Sequence, residues 1–461
     1  MPCFYKNGLL LLLLAVLVSC KNDGDGYTAY FGGIVTNPSS RYVILNKDNY
    51  PVDTIPLDKK NRFFVKFDSL TPGLYSFRHN TDHHNIYFDK NDSLVVSIDG
   101  LDFDNSVIFS GRGDRKNNFM MELYLINEKE HKSPQSLYDL NAEDFNRKID
   151  SIFGNKVAKY KKNKRHIKWS KGFDFYAKAR LNLNYYTKKE QYPYAHAIRT
   201  GENIRNTLPK DYYAFRREID FNDKRLTHFS PFARYLTAML SNMASAKHHK
   251  ISGNKSLIEN TEKLRIADSI FVDKSIKNEI LDNIAFAYIL EDENIASNEK
   301  FLDEYIRLST PSSKDNDIKK MGYAIKKLKS GNKIPPIKLV DAANKAFVVQ
   351  RDIKKQTVIF FWTACARQNL DMMIHKVKSL RKEHPDVSFI AVNVDEEPEW
   401  KRLIDHYTLR DAISLHATDF EELKFKWVFT KINRTIILNA DGTIKNAFTN
   451  LMDPDFAEQL N

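Results

Sequence analysis

The spacing of apolar residues changes twice along this chain of 461 residues, near residue 113 and again near residue 330. From 27 to 113, short runs such as FGGIVT and RFFVKF, separated by Asn, Asp, Gly and Pro, predict an antiparallel β-sandwich. From 114 to 330, apolar residues recur three and four positions apart, which predicts long amphipathic helices without a fixed repeat. From 331 to 461, strand and helix patterns alternate. We therefore expect a multi-domain α+β protein with an N-terminal β-sandwich, a helical middle region and a C-terminal α/β domain.

The C-terminal region follows the Gly and Pro residues of KSGNKIPPIKLVD, residues 329–341, which predict a linker and a domain entry. TVIFFW and VSFIAVNVD are apolar enough to be buried strands, and an amphipathic helix pattern lies between them. RTIILNADGTIKNAF predicts a hairpin that turns at Asp441-Gly442, and DPDFAEQL predicts a last helix. Strand–helix–strand followed by hairpin–helix predicts a mixed sheet covered on both faces.

The N-terminus, MPCFYKNGLLLLLLAVLVSC, has the order of an export signal: a lysine, an apolar run and a small polar end. The apolar run is too short for a permanent membrane span. LVSC resembles the lipobox of bacterial lipoproteins, which implies a signal peptide over 1–19, a lipid on Cys20 and a polar tether over 20–26. An ordinary secretory signal and a buried helix are the alternative interpretations. The lipobox predicts a cell-envelope protein anchored by its lipid to the outer membrane, facing the periplasm or the surface.

The cysteine count limits the redox chemistry that is possible. The chain has Cys3, Cys20 and Cys365. If Cys3 leaves with the signal peptide and Cys20 carries the lipid, Cys365 is the only free thiol. A dithiol redox cycle needs an attacking thiol and a second thiol that resolves the mixed disulfide. Cys365 is therefore the candidate catalytic residue of a thiol enzyme, but it has no intramolecular partner.

The stretch FFWTACARQN, residues 360–369, follows the first long strand of the C-terminal region. Phe361-Trp362-Thr363 match the opening of the F-W-A-x-W-C-x-x-C stretch of the TlpA/ResA disulfide reductases. TIILNADGTI, residues 435–444, matches the hairpin P-T-x-x-L-I-D-x-D-G-x-I of the same group. Residues 331–461 therefore resemble the thioredoxin-like domain of that group. The segments before it resemble, more weakly, the N-terminal modules of thioredoxin-like lipoproteins of the Bacteroidetes kind.

The residues that carry the chemistry in that group are replaced in this chain. Without a gap, the two family cysteines fall on Ala366 and Asn369, and Cys365 falls on the second tryptophan. The cis-proline of the family falls on Asn433, which Arg434 follows. A cis bond before a non-proline residue costs about 2.5–4 kcal/mol, so we expect a trans peptide at Asn433. A one-residue gap would place Cys365 at the nucleophile position as a monothiol, and a half-buried structural cysteine is the other interpretation.

The expected function is a binding or scaffold role for an envelope lipoprotein whose thioredoxin-like domain has lost its dithiol chemistry. The binding groove is expected to involve Trp362, Thr363, Ala366, Asn369, Asn433 and Arg434. The expected partners are the membrane, through the lipid on Cys20, and an unknown envelope protein or peptide. One alternative is a monothiol thiol-disulfide oxidoreductase that acts through Cys365.

A second alternative is a surface glycan-handling accessory protein. The aromatic segment LNYYTKKEQYPYAHA and the basic segment KYKKNKRHIKWSKG indicate it, although helix packing and a solvated helix face explain both segments as well. The net charge of +12 is not accompanied by a nucleotide-binding loop, an RNA-binding motif or zinc-finger spacing, so no nucleic acid partner is predicted. No metal or cofactor is predicted, and His79, His83 and His84 are expected to be solvated turn residues.

Overall fold

The structure is a computed structural model that describes residues 27–461 except 49, 81, 133–136, 249–254, 292–294, 311–314, 364–366, 396–399, 402–403, 405–411 and 430. The strands of the described residues are β1 Ala29–Thr36, β2 Tyr42–Lys47, β3 Tyr50–Pro56, β4 Arg62–Phe67, β5 Gly73–His79, β6 Asp82–Phe88, β7 Ser93–Asp99, β8 Ile108–Arg112, β9 Leu339–Val340, β10 Ala346–Phe347, β11 Thr357–Trp362, β12 Ser388–Asn393, β13 Ile413–Ala417, β14 Arg434–Leu438 and β15 Ile444–Asn450. The α-helices are α1 Phe103–Ser106, α2 Asp114–Lys132, α3 Ala142–Ile167, α4 Lys171–Thr200, α5 Ser230–His248, α6 Lys255–Ile270, α7 Lys274–Glu291, α8 Ile295–Leu308, α9 Asp315–Lys327, α10 Val349–Asp352, α11 Arg367–Glu383 and α12 Phe420–Lys426.

The chain divides into two compact units. The first unit holds the described residues up to Pro209 together with His228–Tyr235, and the second holds Lys210–Thr227 and Leu236–Asn461. The mixed α and β content with several separate sheets agrees with the predicted class at that level. The boundaries at residues 113 and 330 mark changes in the sequence pattern, and they stay predictions about where folding units end.

Two four-stranded sheets form the β part of the first unit, with the orders β4-β1-β7-β8 and β3-β2-β5-β6. Their inner side chains share one core, in which Phe31, Phe77 and Phe88 are fully buried. Most strand pairs are antiparallel, as predicted, but β1 runs parallel to β7, with Tyr30 opposite Ser93. The alternation of apolar residues determines which face of a strand is buried, but it does not determine the neighbouring strand. The parallel pair therefore departs from the predicted antiparallel arrangement.

The histidines predicted to be solvated turn residues lie in strands β5 and β6. His79 is 1% exposed, and its Nε2 accepts a hydrogen bond from the Ser39 amide at 3.1 Å. His84 is 5% exposed, and its ring stacks on Phe103 at 5.3 Å. Only His83 of the three is exposed, because successive side chains of a strand point to opposite faces. The prediction of solvated residues is therefore wrong for His79 and His84.

Helices α2, α3 and α4 belong to the first unit and share a second core with β6. The aromatic segment predicted as a possible sugar-binding feature lies inside α4. Tyr192 stacks on Phe145 at 3.8 Å, and Tyr185 stacks on Phe153 at 4.5 Å. In the basic segment, the Lys164 ammonium pairs with a carboxylate oxygen of Asp174 at 2.8 Å. Helix packing therefore accounts for these tyrosines.

The C-terminal part of the second unit is a seven-stranded sheet with the order β10-β9-β13-β12-β11-β14-β15. Strands β11, β12 and β13 run parallel, β14 is antiparallel to β11, and β15 is antiparallel to β14. All six residues of β11 are buried, as its continuous apolar run predicts. The predicted strand–helix–strand unit and hairpin are confirmed, and the last helix is a short 3₁₀-helix over Phe456–Leu460. Strands β9, β10 and β13 were not predicted.

The two faces of β11 pack on different partners. Trp362 is in a core with Leu370 and Ile374 of α11. On the opposite face, the ring of Phe361 lies 4.7 Å from the ring of Phe429 and 6.2 Å from that of Trp427. The predicted coverage of the sheet on both faces is therefore observed. Because β11, β12 and β13 run parallel, their carboxyl ends lie at one edge of the sheet, where the site is expected.

Candidate functional site

The predicted redox position lies directly after β11. Strand β11 ends at Trp362, and helix α11 begins at Arg367. A strand therefore precedes the predicted redox position and a helix follows it, as predicted. Cys365 and Ala366 lie outside the described residues. Asn369 is in the first turn of α11, but its side chain is also outside the described part of the structure. The structure therefore frames this position without testing the predicted roles of these residues.

Trp362 and Thr363 are the two predicted groove residues that the structure describes on this side of the site. Trp362 is 1% exposed, and its indole N–H has no hydrogen-bond partner among the described residues. Thr363 is half-buried, and its hydroxyl donates a hydrogen bond to the carboxylate of Asp395. Trp362 is thus part of the core, whereas Thr363 belongs to a polar network at the edge of the sheet.

That network joins the carboxyl ends of two adjacent parallel strands. The Asn393 amide Nδ2 donates to Asp395 Oδ2 at 2.7 Å and to the carbonyl of Trp362 at 3.5 Å. The Asp395 backbone N–H donates to Asn393 Oδ1 at 3.1 Å. Asn393 is fully buried and Asp395 is half-buried, so the first residue organises the network and the second faces the edge of the sheet. A carboxylate held in this way accepts hydrogen bonds from both neighbours.

The neighbouring strand β13 adds an imidazole to the network. Nδ1 of His416 lies 3.2 Å from Asn393 Oδ1, which fits the tautomer with the proton on Nδ1. The ring stacks on Trp400 at 5.1 Å with an interplanar angle of 15°. Burial lowers the pKa of His416, although the carboxylate of Asp395 acts in the opposite direction. His416 is therefore neutral at pH 7 and presents Nε2 as a hydrogen-bond acceptor.

Sequence reasoning did not select Asn393, Asp395 or His416. The available signal was NVD, which comes directly after the buried strand run SFIAV. Polar residues at the carboxyl ends of parallel strands meet at one edge of the sheet. His416 had no comparable signal, because the pairing of β13 with β12 is not visible in a single sequence.

The two residues at the predicted proline position lie at the start of β14. No cis peptide bond occurs among the described residues, so the bond before Asn433 is trans, as expected. Arg434 is 7% exposed, and its Nε donates to the Ala447 carbonyl at 3.0 Å. A second N–H group of Arg434 donates to the carbonyl of Val428, which has a φ of 52°. A β-branched residue is strained in this region, so the buried guanidinium holds an unfavourable backbone in place.

The structure also bears on metal and membrane binding. Among the described residues, no group of three or more His, Cys, Asp or Glu side chains is placed to hold a metal ion. None of the helices in the described ranges combines the length and apolar character that a bilayer span requires. Cys20, the predicted lipidation site, lies outside the described residues.

No protein-family model matches the sequence, and no curated protein matches it. Three solved structures that resemble parts of the chain come from Bacteroides. A thioredoxin-like protein of Bacteroides caccae has 14% identity over 55% of this chain and 92% of that chain, with a TM-score of 0.33. A thiol:disulfide interchange protein of a Bacteroides species has 16% identity over 29% of this chain and 89% of that chain, with a TM-score of 0.25. The thioredoxin domain of a thiol-disulfide oxidoreductase of Bacteroides vulgatus has 15% identity over 25% of this chain and 86% of that chain, with a TM-score of 0.23.

The β11–α11–β12 crossover, with the β14–β15 hairpin on the other side of β11, is the strand arrangement of a thioredoxin-like domain. The structural neighbours named above cover only part of this chain. The strand arrangement of the chain itself defines the class, a protein with a thioredoxin-like domain.

Proposed function

We propose that this protein is an envelope lipoprotein whose thioredoxin-like domain binds a protein or peptide without dithiol chemistry. The cysteine content carries the proposal, because Cys365 is the one cysteine that follows residue 20. Thiol–disulfide exchange by a single domain needs an attacking and a resolving thiol. The lipobox resemblance of LVSC supports a lipid anchor on Cys20 and a location at the outer membrane.

The residues at the start of β14 support the proposal, because they differ from those beside which the resembling group is expected to hold its substrate. In the resembling group a cis-proline faces the cysteines, whereas here Asn433 has a trans peptide bond before it. The guanidinium of Arg434 is turned to the carbonyls of Ala447 and Val428. A peptide backbone beside this loop would meet a different set of donors and acceptors. Binding without turnover is the function that fits this arrangement.

The polar network offers groups that a peptide can use. Asp395 is half-buried, and its carboxylate is held by Thr363 and Asn393 in a fixed position. A fixed acceptor of this kind suits an N–H donor of a bound chain, because its geometry is already set before binding. Neutral His416 provides a second acceptor on the adjacent strand.

The start of α11 favours a second candidate function. The helix α11 begins at Arg367, two positions after Cys365 in the sequence, and the exposed N–H groups at the start of a helix stabilise a nearby thiolate. A monothiol oxidoreductase would use this thiolate to attack a disulfide and would need an external thiol to resolve the product.

The first test measures insulin reduction in the presence of dithiothreitol by the purified protein and by Cys365→Ser. The proposal predicts no rate above the background of dithiothreitol alone, because no resolving thiol is available. We also expect Cys365→Ser to unfold at the same temperature as the wild type. Catalysed turnover that disappears in Cys365→Ser would instead establish the monothiol enzyme.

The second test restores the missing pair with the double substitution Ala366→Cys and Asn369→Cys. Two cysteines three positions apart at the start of a helix are expected to form a reversible disulfide. Mass spectrometry after alkylation, with and without prior reduction, counts the free thiols. In the matched control, Ala366→Ser with Asn369→Ser, the number of free thiols should be the same with and without reduction. Two thiols that never pair would contradict the strand-to-helix turn on which the proposal depends.

A further inference from the structure

The first unit contains a cavity of about 930 Å³ that the proposed function does not use. Helices α2, α3 and α4 and the segment 137–140 provide its walls. Its aliphatic floor consists of Ile126, Leu137, Leu140 and Ile152, all of them half-buried. Ligand pockets of proteins usually occupy about 300–1,000 Å³ and are mostly apolar with a few polar groups. The volume of this cavity lies in that range, and its floor is apolar.

The rim of the cavity carries positive charge without matching negative charge. Lys129 and Lys148 line the cavity and are exposed. Neither has a carboxylate within ion-pair distance among the described residues. The other rim cation, Arg147, is already paired with Asp144 at 2.9 Å and with Glu143 at 2.8 Å. Two lysine ammonium groups are therefore available to an anion at the mouth of the cavity.

The inner wall of the cavity contains a carboxylate, that of Glu130, which is shared by two lysines. A single oxygen of Glu130, Oε2, accepts hydrogen bonds from Lys188 at 2.6 Å and from Lys156 at 2.7 Å. Burial opposes the ionisation of Glu130, but the two ammonium groups outweigh it and lower the pKa of the carboxyl. Burial and the nearby Lys188 lower the pKa of Lys156. One carboxylate is thus shared by two buried ammonium groups, of which that of Lys188 lines the cavity, and a further anion near Lys188 would be favourable.

We propose that this cavity binds an amphipathic anion, with an acyl chain on the aliphatic floor and a carboxylate or phosphate head group between Lys129, Lys148 and Lys188. Among the described residues that line the cavity, the apolar ones are Ile and Leu, and none is aromatic. Sugars and nucleotide bases are usually held against aromatic rings, so this floor suits a flexible aliphatic chain better. This binding site does not depend on the thioredoxin-like domain or on Cys365.

The test uses cis-parinarate, a long-chain carboxylate whose fluorescence rises in an apolar environment. The protein and all its variants are purified as full chains in the Cys20→Ala form, which lacks the proposed acyl groups and is expected to need no detergent. We expect a saturable rise in fluorescence and its reversal by hexadecanoate or by hexadecyl phosphate. The more effective of these two competitors identifies the head group that the lysines prefer. Hexadecylamine and hexadecanol should displace the probe poorly, because they lack the negative charge.

Two variants locate the binding site. The charge reversal Lys129→Glu with Lys148→Glu is expected to weaken parinarate binding by about tenfold or more. Ile152→Gln, which makes the floor polar, should also weaken it. The matched control is Lys161→Glu with Lys162→Glu, two exposed lysines of the same helix α3 that do not line the cavity. This control changes the net charge equally and should bind as the wild type does.

The proposal is overturned if parinarate does not bind, or if the control reversal weakens binding as much as the cavity reversal. Displacement by hexadecylamine as effective as that by hexadecanoate would also overturn it, because the head-group charge would then be irrelevant. Thermal unfolding of each variant, followed by circular dichroism, verifies that the helices are intact. The insulin and disulfide tests concern residues of the second unit, whereas the cavity lies in the first unit. A failure of those tests would therefore not change the expected result of the parinarate assay.

Discussion

The ring of His84 is enclosed by aromatic side chains in the core of the first unit. It stacks on Phe103 and meets Tyr124 edge-on at 4.7 Å. Burial lowers the pKa of His84 to about 4, with smaller contributions in the same direction from Arg180 and His83. Asp104, whose Oδ1 lies 3.2 Å from Nε2, acts in the opposite direction. His84 is therefore neutral in the folded protein at pH 7.

This difference makes the stability of the first unit depend on pH. Between the ordinary pKa of 6.5 and the folded value of about 4, the unfolded chain binds a proton that the folded chain does not. Stability is therefore fully present above pH 6.5 and is lost as the pH falls towards 4, by up to about 3 kcal/mol. We expect His84→Phe to reduce this loss, as measured by urea unfolding at pH 7 and pH 4.5. Equal losses in the wild type and the variant would contradict the prediction.

The polar network shows why one sequence indicates only some of the residues that meet at one edge of a sheet. The sequence indicates Trp362 and Thr363; in the structure Trp362 lies in the core, and Thr363 contacts Asp395 at the edge of the sheet. Asp395 lies more than thirty positions later and was missed, although it is the partner of Thr363. Its position depends on the parallel register of β11 and β12, in which Trp362 lies opposite Asn393. A contact set by strand pairing has no local signal in one sequence.

At the scale of elements, the segment predicted as a linker is part of the C-terminal sheet. The Gly331 amide donates to the Ile444 carbonyl at 2.8 Å, and the Ile444 amide donates to the Asn332 carbonyl at 2.7 Å. Lys333 forms a β-bridge with Thr443. Gly331 adopts a φ of 86°, which residues with a Cβ rarely do. The Gly and Pro pattern predicted a linker and a domain entry, but it contained no information about the hairpin that binds the segment.

Two glycines with free space around them provide a matched prediction. Nothing lies within 4 Å of a Cβ added at Gly331 or at Gly154. Gly154 lies within helix α3, so Gly154→Ala should stabilise the protein by about 0.5–1 kcal/mol. Gly331→Ala should destabilise it by about 1 kcal/mol, because alanine is strained at positive φ. Differential scanning calorimetry should show melting temperatures that shift in opposite directions, and shifts of the same sign would contradict the assigned backbone.

For the whole molecule, the period of the apolar pattern predicted the type of most elements. The runs TVIFFW and VSFIAVNVD contain the parallel strands β11 and β12, because continuous apolar runs fit a strand covered on both faces. The sequence did not predict that the described helices divide between two units. It also did not predict the cavity, whose walls come from three helices and a connecting segment. Such features depend on packing between elements that are distant in sequence.

The lipid anchor is the last prediction, and it concerns where the whole molecule resides. If LVSC is a lipobox, the acyl groups on Cys20 hold the protein at the membrane, since each buried methylene contributes about 0.8 kcal/mol and two chains give stable anchoring. We expect the wild type to sediment with membranes and to need detergent for release, whereas Cys20→Ala should be found in the soluble fraction. Cys3→Ala is the matched control, because it removes a cysteine from the predicted signal peptide and should leave anchoring unchanged. Mass spectrometry of the N-terminal peptide then identifies the acyl groups. A wild-type peptide without acyl groups, or a Cys20→Ala protein that still sediments and needs detergent, would contradict the anchor.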